Sequence, residues 1–438
     1  MTNFGRRMTC ALLFSTLAPA VIAVTEQTTG TLSLSEKPTP VSQFPYPTWK
    51  EAEPKPGQKG RGPGINDQGR VECIARSGDT IYVGGAMLLV RDKGGDHPVT
   101  SLAAIDAVTG ESKPFAPWID GRVRALATAD AGRILLVGGD FTHVGDKPCA
   151  HLAALDAKTG ELLPTWNDPR IPDGTVAALL VRGDAVYVGG QFTEIAGQPR
   201  ENLARLDLRS GSWTLNDTWT PRAKDGQPRR LVLTLAADAK RDRVLIGGIF
   251  LSLNDDKKAA RLVAVDAKTG AIAQTFPTMP PYNDGRPFPM SGIIAMSVEG
   301  DTLFAGMGGP GGTALCFDLA ARTRRWFYHT DGDVQAVAAL DTSSVWGFHG
   351  DFVAPEKNRY TLEKGSKIPR RKLFLLNKDG KLQPWNPALG SALPKYSPLG
   401  VWTLMATPDM LYVGGDFTRV GEAEQHRFVR FSRLLRAN

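Results

Sequence analysis

Hydrophobic positions in this chain recur in short blocks, each bounded by turn residues, which predicts many short β-strands. One block ends in Gly-Gly, followed by Asp or Gln and then Phe-Thr. It is clearest in VGGDFT ending at Thr142, VGGQFT ending at Thr193 and VGGDFT ending at Thr418. Weaker copies contain Tyr82, Leu245, Phe304 and Trp346. Seven copies at a period of roughly fifty to sixty residues indicate a repeat protein.

Three further elements accompany each copy. An apolar strand followed by Asp and Gly, as in LAALDAKTG from Leu152, predicts a hairpin, because Asp bonds turn amides and Gly accepts a positive φ. A short apolar strand, as in VRALA from Val123, comes before each Gly-Gly block. The remaining element is an aromatic residue close to proline, predicted to pack between units. It is filled by Trp118, Trp166, Trp219, Phe276, Trp326 and Trp385.

Four strands per unit, repeated seven times, predict an all-β fold in which each unit buries its faces against its neighbours. We therefore expect a seven-bladed β-propeller of four-stranded antiparallel blades. A solenoid is the main alternative, but it needs capping repeats and none is visible. The last unit lacks its aromatic strand, and YPTWKEAEP from Tyr46 parallels LPTWNDP from Leu163. The N-terminal segment is thus predicted to close the last blade, with Trp49 as the seventh aromatic residue.

The chain begins with features of a signal peptide, predicted over residues 1–23. Arg6 and Arg7 precede an apolar run that contains small residues suited to cleavage. We expect a secreted or periplasmic protein, exported by the general route, since Thr9 and Cys10 fit a twin-arginine signal poorly. Residues 24–43 are predicted to be a flexible segment and residues 44–438 a single propeller domain. No stretch of the mature chain is long and apolar enough to span a bilayer.

Charge and cysteine content narrow the function classes. The formal net charge is +7, but no basic block alternates with aromatic residues, which disfavours nucleic acid as a partner. The mature chain keeps Cys73, Cys149 and Cys316, an odd number without metal-site spacing, so buried thiols are expected. Neither a metal nor a cofactor is predicted, and a monomer is expected.

The GGDF, LDAKTG and PTW phrases resemble those of secreted bacterial β-propeller repeat proteins of the GGxF type. They are also similar to kelch repeats, and the resemblance covers nearly all of the mature chain. It is specific for the fold and unspecific for activity. ALDAKTGELLPTW from Ala154 is similar to the tryptophan-docking repeat of quinone-cofactor dehydrogenases. However, the spacing to Trp is longer here and their adjacent cysteine pair is absent, so this is the least favoured alternative.

In such a fold the loop before each innermost strand and the loop after each Gly-Gly strand open on one face, which we take as the ligand face. Recurrent residues there maintain the blade, whereas exceptions are functional candidates. Recurrent Asp-Gly pairs favour turn formation over a carboxylate ring around a cation; these begin at Asp120, Asp173, Asp225, Asp284 and Asp331. The residue after Gly-Gly carries the same ambiguity, at Asp140, Gln191, Asp351 and Asp416.

Irregular loops supply basic and aromatic residues to this face. Arginine pairs with carboxylate or sulfate as a planar fork, and aromatic rings stack on sugars. The candidate ligand-binding residues are Arg122, Arg229, Arg230, Tyr282, Arg286, His349, Tyr360, Tyr396 and Trp402. They predict a binding protein for an acidic polysaccharide or an extracytoplasmic protein.

The alternative is a polysaccharide lyase or hydrolase, which would need a Tyr or His base beside a carboxylate and an Arg to hold the resulting anion. Tyr282, Tyr396, His349 and Arg230 are available for those roles. The sequence does not show that they converge, so no catalytic residue is assigned.

Overall fold

The computed structural model describes residues 31–45, 69–115, 117–166, 168–209, 212–224, 232–277, 291–309, 311–355, 367–391 and 400–436. Within these ranges the chain is built from β-strands, and the helical segments are two short 3-10 turns, Asp130–Gly132 and Ala239–Arg241. No helix in the described ranges is long and apolar enough to cross a membrane.

Seven antiparallel sheets in the described part of the chain share one strand order, and we number them sheet 1 to sheet 7 along the chain. Their first strands are Arg70–Ser77, Val123–Ala129, Thr175–Arg182, Val232–Asp238, Gly292–Glu299, Val334–Leu340 and Val401–Ala406. Their second strands carry the Gly-Gly block and are Thr80–Ala86, Ile134–Gly139, Ala185–Gln191, Arg243–Gly248, Thr302–Gly308, Ser343–Phe348 and Met410–Gly415.

The third strands contain the apolar block that precedes the Asp-containing turn. They are Leu102–Asp106, Leu152–Asp156, Leu203–Arg209, Leu262–Asp266, Thr313–Asp318, Leu373–Asn377 and Phe428–Arg436. Fourth strands complete sheets 3, 4, 5 and 7, as Ser212–Leu215, Ile272–Thr275, Thr323–Thr330 and Thr31–Leu34. In sheets 1, 2 and 6 a single bridge residue takes that place, at Ser112, Leu162 and Leu382.

Short strands join the sheets at their rims. They are Leu89–Asp92, Gly95–Pro98, His143–Val144, Lys147–Pro148, Glu194–Ile195, Gln198–Pro199, Ala223–Lys224, Ser252–Leu253, Phe352–Pro355, Ile368–Pro369, Leu389–Gly390, Arg419–Val420 and Ala423–Glu424. Phe352–Pro355 and Ile368–Pro369 extend sheet 5, and the others form separate ribbons of two or three strands.

A valine–glycine contact links each sheet to the next. The first glycine of each Gly-Gly block lies against a buried Val or Ile of the following first strand. A Cβ placed on Gly138 would lie 2.5 Å from Cγ1 of Val176, closer than real Cβ atoms approach, so the packing requires glycine. The same contact joins Gly414 of sheet 7 to Val71 of sheet 1. The contacts therefore run through all seven sheets and return to the first.

The repeated aromatic residues fill the space between sheets, as predicted. Trp219 is fully buried and its indole N–H donates to the carbonyl of Asp266 in sheet 4 at 3.2 Å. Trp326 of sheet 5 makes the corresponding contact with sheet 6, and Trp385 makes it between sheets 6 and 7. The assignment of Trp118 to this set is wrong, because its side chain is 51% exposed. Phe115 takes the buried place instead.

Sheet 7 combines the two ends of the chain, but with a different N-terminal segment from the one predicted. Thr31–Leu34 pairs with the last strand, in register from Thr31 with Arg436 to Leu34 with Arg433. Thr31–Leu34 belongs to the segment 24–43 that was predicted to be flexible, and here it is paired in the sheet. Flexibility of the segment stays a prediction. Trp49 lies outside the described residues. Beside Gly110, the seventh aromatic position is filled by Pro40, Val41 and the guanidinium of Arg430.

The three cysteines are buried and unbonded, as expected. Burial is the main cause that raises the pKa of Cys149 and of Cys316 to about 12. Their thiols stay protonated and unreactive at neutral pH.

Candidate functional site

Each first strand carries a β-bulge at the same place. The pairing register with the second strand shifts there, immediately after a buried Val or Ile. A bulge leaves its extra residue out of the ladder and re-aims the side chain. The bulge residues are Glu72, Arg124, Ala177, Leu233, Ile294, Gln335 and Trp402. All seven are partly exposed, whereas the Val or Ile before each has no exposed surface.

The bulge residues divide into two groups by chemistry. Sheets 3, 4 and 5 carry the apolar residues Ala177, Leu233 and Ile294. Sheets 6, 7, 1 and 2 follow one another through first-strand contacts, and their bulge residues all bear hydrogen-bonding groups. The bulge positions therefore have an apolar side, in sheets 3 to 5, and a polar side, in sheets 6, 7, 1 and 2.

An acidic side chain in sheet 1 gathers three guanidinium groups. The Glu72 side chain is 8% exposed, and its Oε1 lies 2.5 Å from Nε of Arg70. Arg122 and Arg124 come from sheet 2: Nε of Arg122 lies 3.3 Å from Oε1, and Nη1 of Arg124 lies 3.6 Å from Oε2. A buried charge requires such partners, since its desolvation is costly.

Asp140, the residue after the Gly-Gly of sheet 2, extends this network. Its Oδ1 accepts hydrogen bonds from Nε of Arg124 at 2.7 Å and from the Thr175 hydroxyl at 2.6 Å. Burial acts to raise the pKa of Asp140, but these hydrogen bonds outweigh it and lower the pKa overall. Burial lowers the pKa of Arg122, and for Arg124 the bond to Asp140 and the charge of Glu72 outweigh burial and raise the pKa.

Trp402 covers the cluster from sheet 7. The guanidinium carbon of Arg70 lies 4.2 Å from the centroid of its ring, a cation–π contact. Its indole N–H is buried without a hydrogen-bond partner in the described residues, and so is Oε1 of Gln335 in sheet 6. We call the following set the bulge cluster: Arg70, Glu72, Arg122, Arg124, Asp140 and Trp402. Its three guanidiniums exceed its two carboxylates by one positive charge.

The structure describes three of the nine predicted ligand-binding residues. Arg122 and Trp402 belong to the bulge cluster. His349 lies on the same face but in a separate group: its Nδ1 accepts the backbone N–H of Asp333 at 3.2 Å, and its carbonyl accepts from Nζ of Lys372 at 2.7 Å. The other six lie outside the described residues: Arg229, Arg230, Tyr282, Arg286, Tyr360 and Tyr396. Ligand binding by all nine stays a prediction.

Strand register corrects one assignment on this face. Val334 pairs with Phe348 just as Val123 pairs with Gly139, so His349 takes the place of Asp140 in sheet 6. The prediction that Asp351 fills that place is wrong. It matched Gly350 to the second glycine of the block, but Gly350 lies beyond the end of the strand at Phe348.

The turn-forming interpretation of the Asp-Gly pairs is confirmed where they are described. Asp120 accepts the backbone N–H groups of Thr142 and His143 at 2.7 and 2.9 Å. Asp173 accepts that of Thr193, and Asp331 those of the two residues after Gly350. These carboxylates hold loops together. No group of three or more possible metal ligands is found among the described residues.

Sequence reasoning missed Arg70, Glu72 and Arg124. These residues lie in or beside the first strands, outside the Gly-Gly blocks and the irregular loops from which the candidates were taken. An alignment of the first strands on their buried Val or Ile would have found Glu72 and Arg124, because the next residue differs in all seven strands.

Comparisons with known proteins agree on the fold. A family model described as a domain of unknown function (DUF5122) β-propeller matches residues 185–212. The solved structure of U3-55K has a TM-score of 0.52 at 12% identity, covering 85% of this chain and 97% of that chain. The RRP9 WD40 repeats give 0.50 at 13%, covering 86% and 96%. BamB from Moraxella catarrhalis gives 0.44 at 17%, covering 83% and 96%. No curated protein matches.

The first two structures are similar to this chain over almost their whole length, at identities that carry information about the fold alone. Together with the seven linked sheets and the family match, they define an all-β, propeller-like protein. That fold is consistent with a binding or interaction role.

Proposed function

We propose that this chain is an exported seven-bladed β-propeller that binds an acidic glycan at the bulge cluster. The seven sheets are its blades, and Thr31–Leu34 closes the last one. The signal-peptide features of residues 1–23 support export to the periplasm or the exterior. The observation that carries the binding proposal is the meeting of three guanidiniums and a tryptophan from sheets 1, 2 and 7 around one buried carboxylate.

Hydrogen-bonding capacity supports an anionic ligand. A guanidinium carries only N–H donors, which pair with carboxylate or sulfate oxygens as a planar fork. The excess positive charge of the cluster favours the same ligands. Glu72 and Asp140 each offset one guanidinium charge, so the cluster has one positive charge in excess before a ligand binds.

The groups beside the cluster favour an anion that is part of a sugar. The unpartnered indole N–H of Trp402 is a donor, and the unpartnered Oε1 of Gln335 is an acceptor. Sugar hydroxyls both donate and accept, so they match both kinds of group. The enzymatic alternative relies on Tyr282, Tyr396 and Arg230, which lie outside the described residues, and on His349. Nδ1 of His349 lies 3.8 Å from a carboxylate oxygen of Asp333, in a group separate from the bulge cluster.

A binding titration tests the proposal. Calorimetry with an oligogalacturonate should give binding that weakens as salt increases. Arg122→Gln should weaken it about tenfold to a hundredfold, the range expected for a hydrogen bond to a charged group. Arg76→Gln is the matched control, since Arg76 lies at the opposite end of a first strand and pairs with Asp409 at 3.8 Å.

Two results would reject the proposal. One is the absence of binding to oligogalacturonate and to a sulfated oligosaccharide at low salt, which would favour a protein partner. The other is equal weakening by Arg122→Gln and Arg76→Gln, which would indicate a diffuse effect of charge.

A further inference from the structure

A second groove lies beside sheet 2 and is built around an exposed tryptophan. Trp118 immediately precedes Ile119, a buried residue that bridges to Val144 in the short ribbon beside sheet 2. Its carbonyl accepts the N–H of Gly145 at 2.8 Å. The same backbone contact is made by Arg170 with Ala196, by Arg222 with Asn254 and by Ala388 with Gly421. The fold therefore accepts Trp, Arg or Ala at this place, and the indole is not required for folding.

The groove has the size of a small-molecule site. The cavity that Pro117 and Trp118 line has a volume of about 600 Å³. Small-molecule sites occupy about 300–1,000 Å³. The indole, Pro117 and Pro164 form its apolar wall, and Lys147 and Glu161 stand at its polar rim.

The two rim charges are available to a ligand. Lys147 and Glu161 are both exposed, and neither forms an ion pair with another described residue. Asp156 also lines the groove, but its Oδ1 accepts the N–H groups of Lys158 and Thr159 at 2.9 and 2.8 Å, so it serves the turn.

We propose that this groove is a subsite for a neutral pyranose. A pyranose has an apolar face that stacks on an indole and a polar edge of hydroxyls, which accept from an ammonium and donate to a carboxylate. The wall and rim of the groove present those surfaces side by side. The subsite is independent of the bulge cluster, because it shares no residue with it and needs no anionic ligand.

A protein partner fits this groove less well. A stable protein interface buries about 800 Å² on each side. Besides Trp118, the exposed large hydrophobic residues in the described ranges are Leu88 and Val108. Neither lines the groove, so the apolar area offered here is that of one aromatic ring and its prolines.

The test is a titration with cellohexaose, mannohexaose and laminarihexaose, followed by calorimetry and tryptophan fluorescence. At least one should bind, with little dependence on salt. Trp118→Ala should weaken that binding about tenfold, Trp118→Phe should retain most of it, and Lys147→Ala should weaken it to a smaller extent. Val108→Ser is the control for removal of an exposed apolar side chain and should have no effect.

Three outcomes would overturn the subsite. They are no binding by any of the three oligosaccharides, equal affinity in Trp118→Ala and the unmodified protein, and loss of binding in Arg122→Gln instead. The last result would move the neutral sugar to the bulge cluster. A different result would show that the acidic-glycan proposal fails. Oligogalacturonate binding would then be absent while binding of a neutral oligosaccharide persists.

Discussion

Two neighbouring positions in each first strand behave in opposite ways. The first holds Val in six sheets and Ile in one, always without exposed surface. The next holds a different residue type in all seven, from Ala177 to Trp402. The first position packs on a glycine of the preceding sheet, and that environment is the same in each sheet. The bulge removes the second position from the ladder, so the fold does not fix which side chain stands there.

The largest loss of stability should come from adding a side chain at the glycine of the valine–glycine contact between sheets. In Gly414→Ala the new Cβ would lie 2.3 Å from Cγ1 of Val71 and 2.6 Å from Cγ2 of Thr403. Overpacking of this kind costs about 2–3 kcal/mol. The urea midpoint should fall accordingly. Gly390→Ala is the control, because no atom lies within 4 Å of its added Cβ, and a similar fall in both variants would contradict the account.

Truncation of the two neighbouring positions in one strand should give unequal effects. Val232→Ala should lower the free energy of unfolding by about 2 kcal/mol, from lost apolar contact and the cavity left behind. Leu233→Ala removes more atoms but should cost less than about 1 kcal/mol, because a bulge side chain is partly exposed. Urea denaturation measures both. A larger loss for Leu233→Ala would show that the bulge positions carry the packing.

The recurrent turn carboxylates should stabilise the fold in a pH-dependent way. Burial acts to raise the pKa of Asp120, but hydrogen bonds from Thr142 and His143 outweigh it and lower the pKa to about 2. A carboxyl group with a lowered pKa contributes stability above its unfolded pKa, near 4, and loses it as the pH falls toward 2. Asp120→Asn should remove part of that dependence and cost about 1 kcal/mol at pH 7.

The control for that experiment is Glu422→Gln, since the Glu422 side chain is 98% exposed. It should leave the profile of thermal midpoint against pH unchanged. Identical profiles for Asp120→Asn and the unmodified protein would mean that the turn bonds do not persist in solution.

The smallest change in stability should come from replacing a bulge residue with another residue type. Ala177→Gln places on sheet 3 the side chain that sheet 6 carries at Gln335. Because the position is partly exposed and lies outside the ladder, stability should change by less than about 0.5 kcal/mol. Thermal denaturation checks this. A loss comparable to that of Val232→Ala would erase the distinction between the two positions.

The repeat elements were predictable because they follow from local chemistry. Val, Gly-Gly and Asp-containing turns recur wherever the same contact recurs, so the strands and most buried aromatic residues were identified correctly. The errors occur where two residues or two segments match the same position of the repeat. Phe115 and Trp118 are three residues apart and only one fits the space between sheets. In the N-terminal segment, Thr31–Leu34 pairs through its backbone and needs no aromatic motif.

The candidate site was only partly predictable. Arg122 and Trp402 were identified as exceptions to the repeat, but their convergence depends on contacts of sheet 1 with sheet 2 and with sheet 7. Residues 70 and 402 are far apart in the chain, and no local pattern indicates that they stack. Only the order of sheets and the register of each bulge bring them together.

The most direct test of the bulge cluster is the affinity of Glu72→Gln for oligogalacturonate. The substitution keeps a hydrogen-bond acceptor beside the guanidiniums and removes the charge that offsets one of them. Affinity should increase, with a steeper dependence on salt, while circular dichroism shows the protein folded. Unchanged or weaker binding by the folded variant would contradict the claim that these arginines hold an anionic ligand.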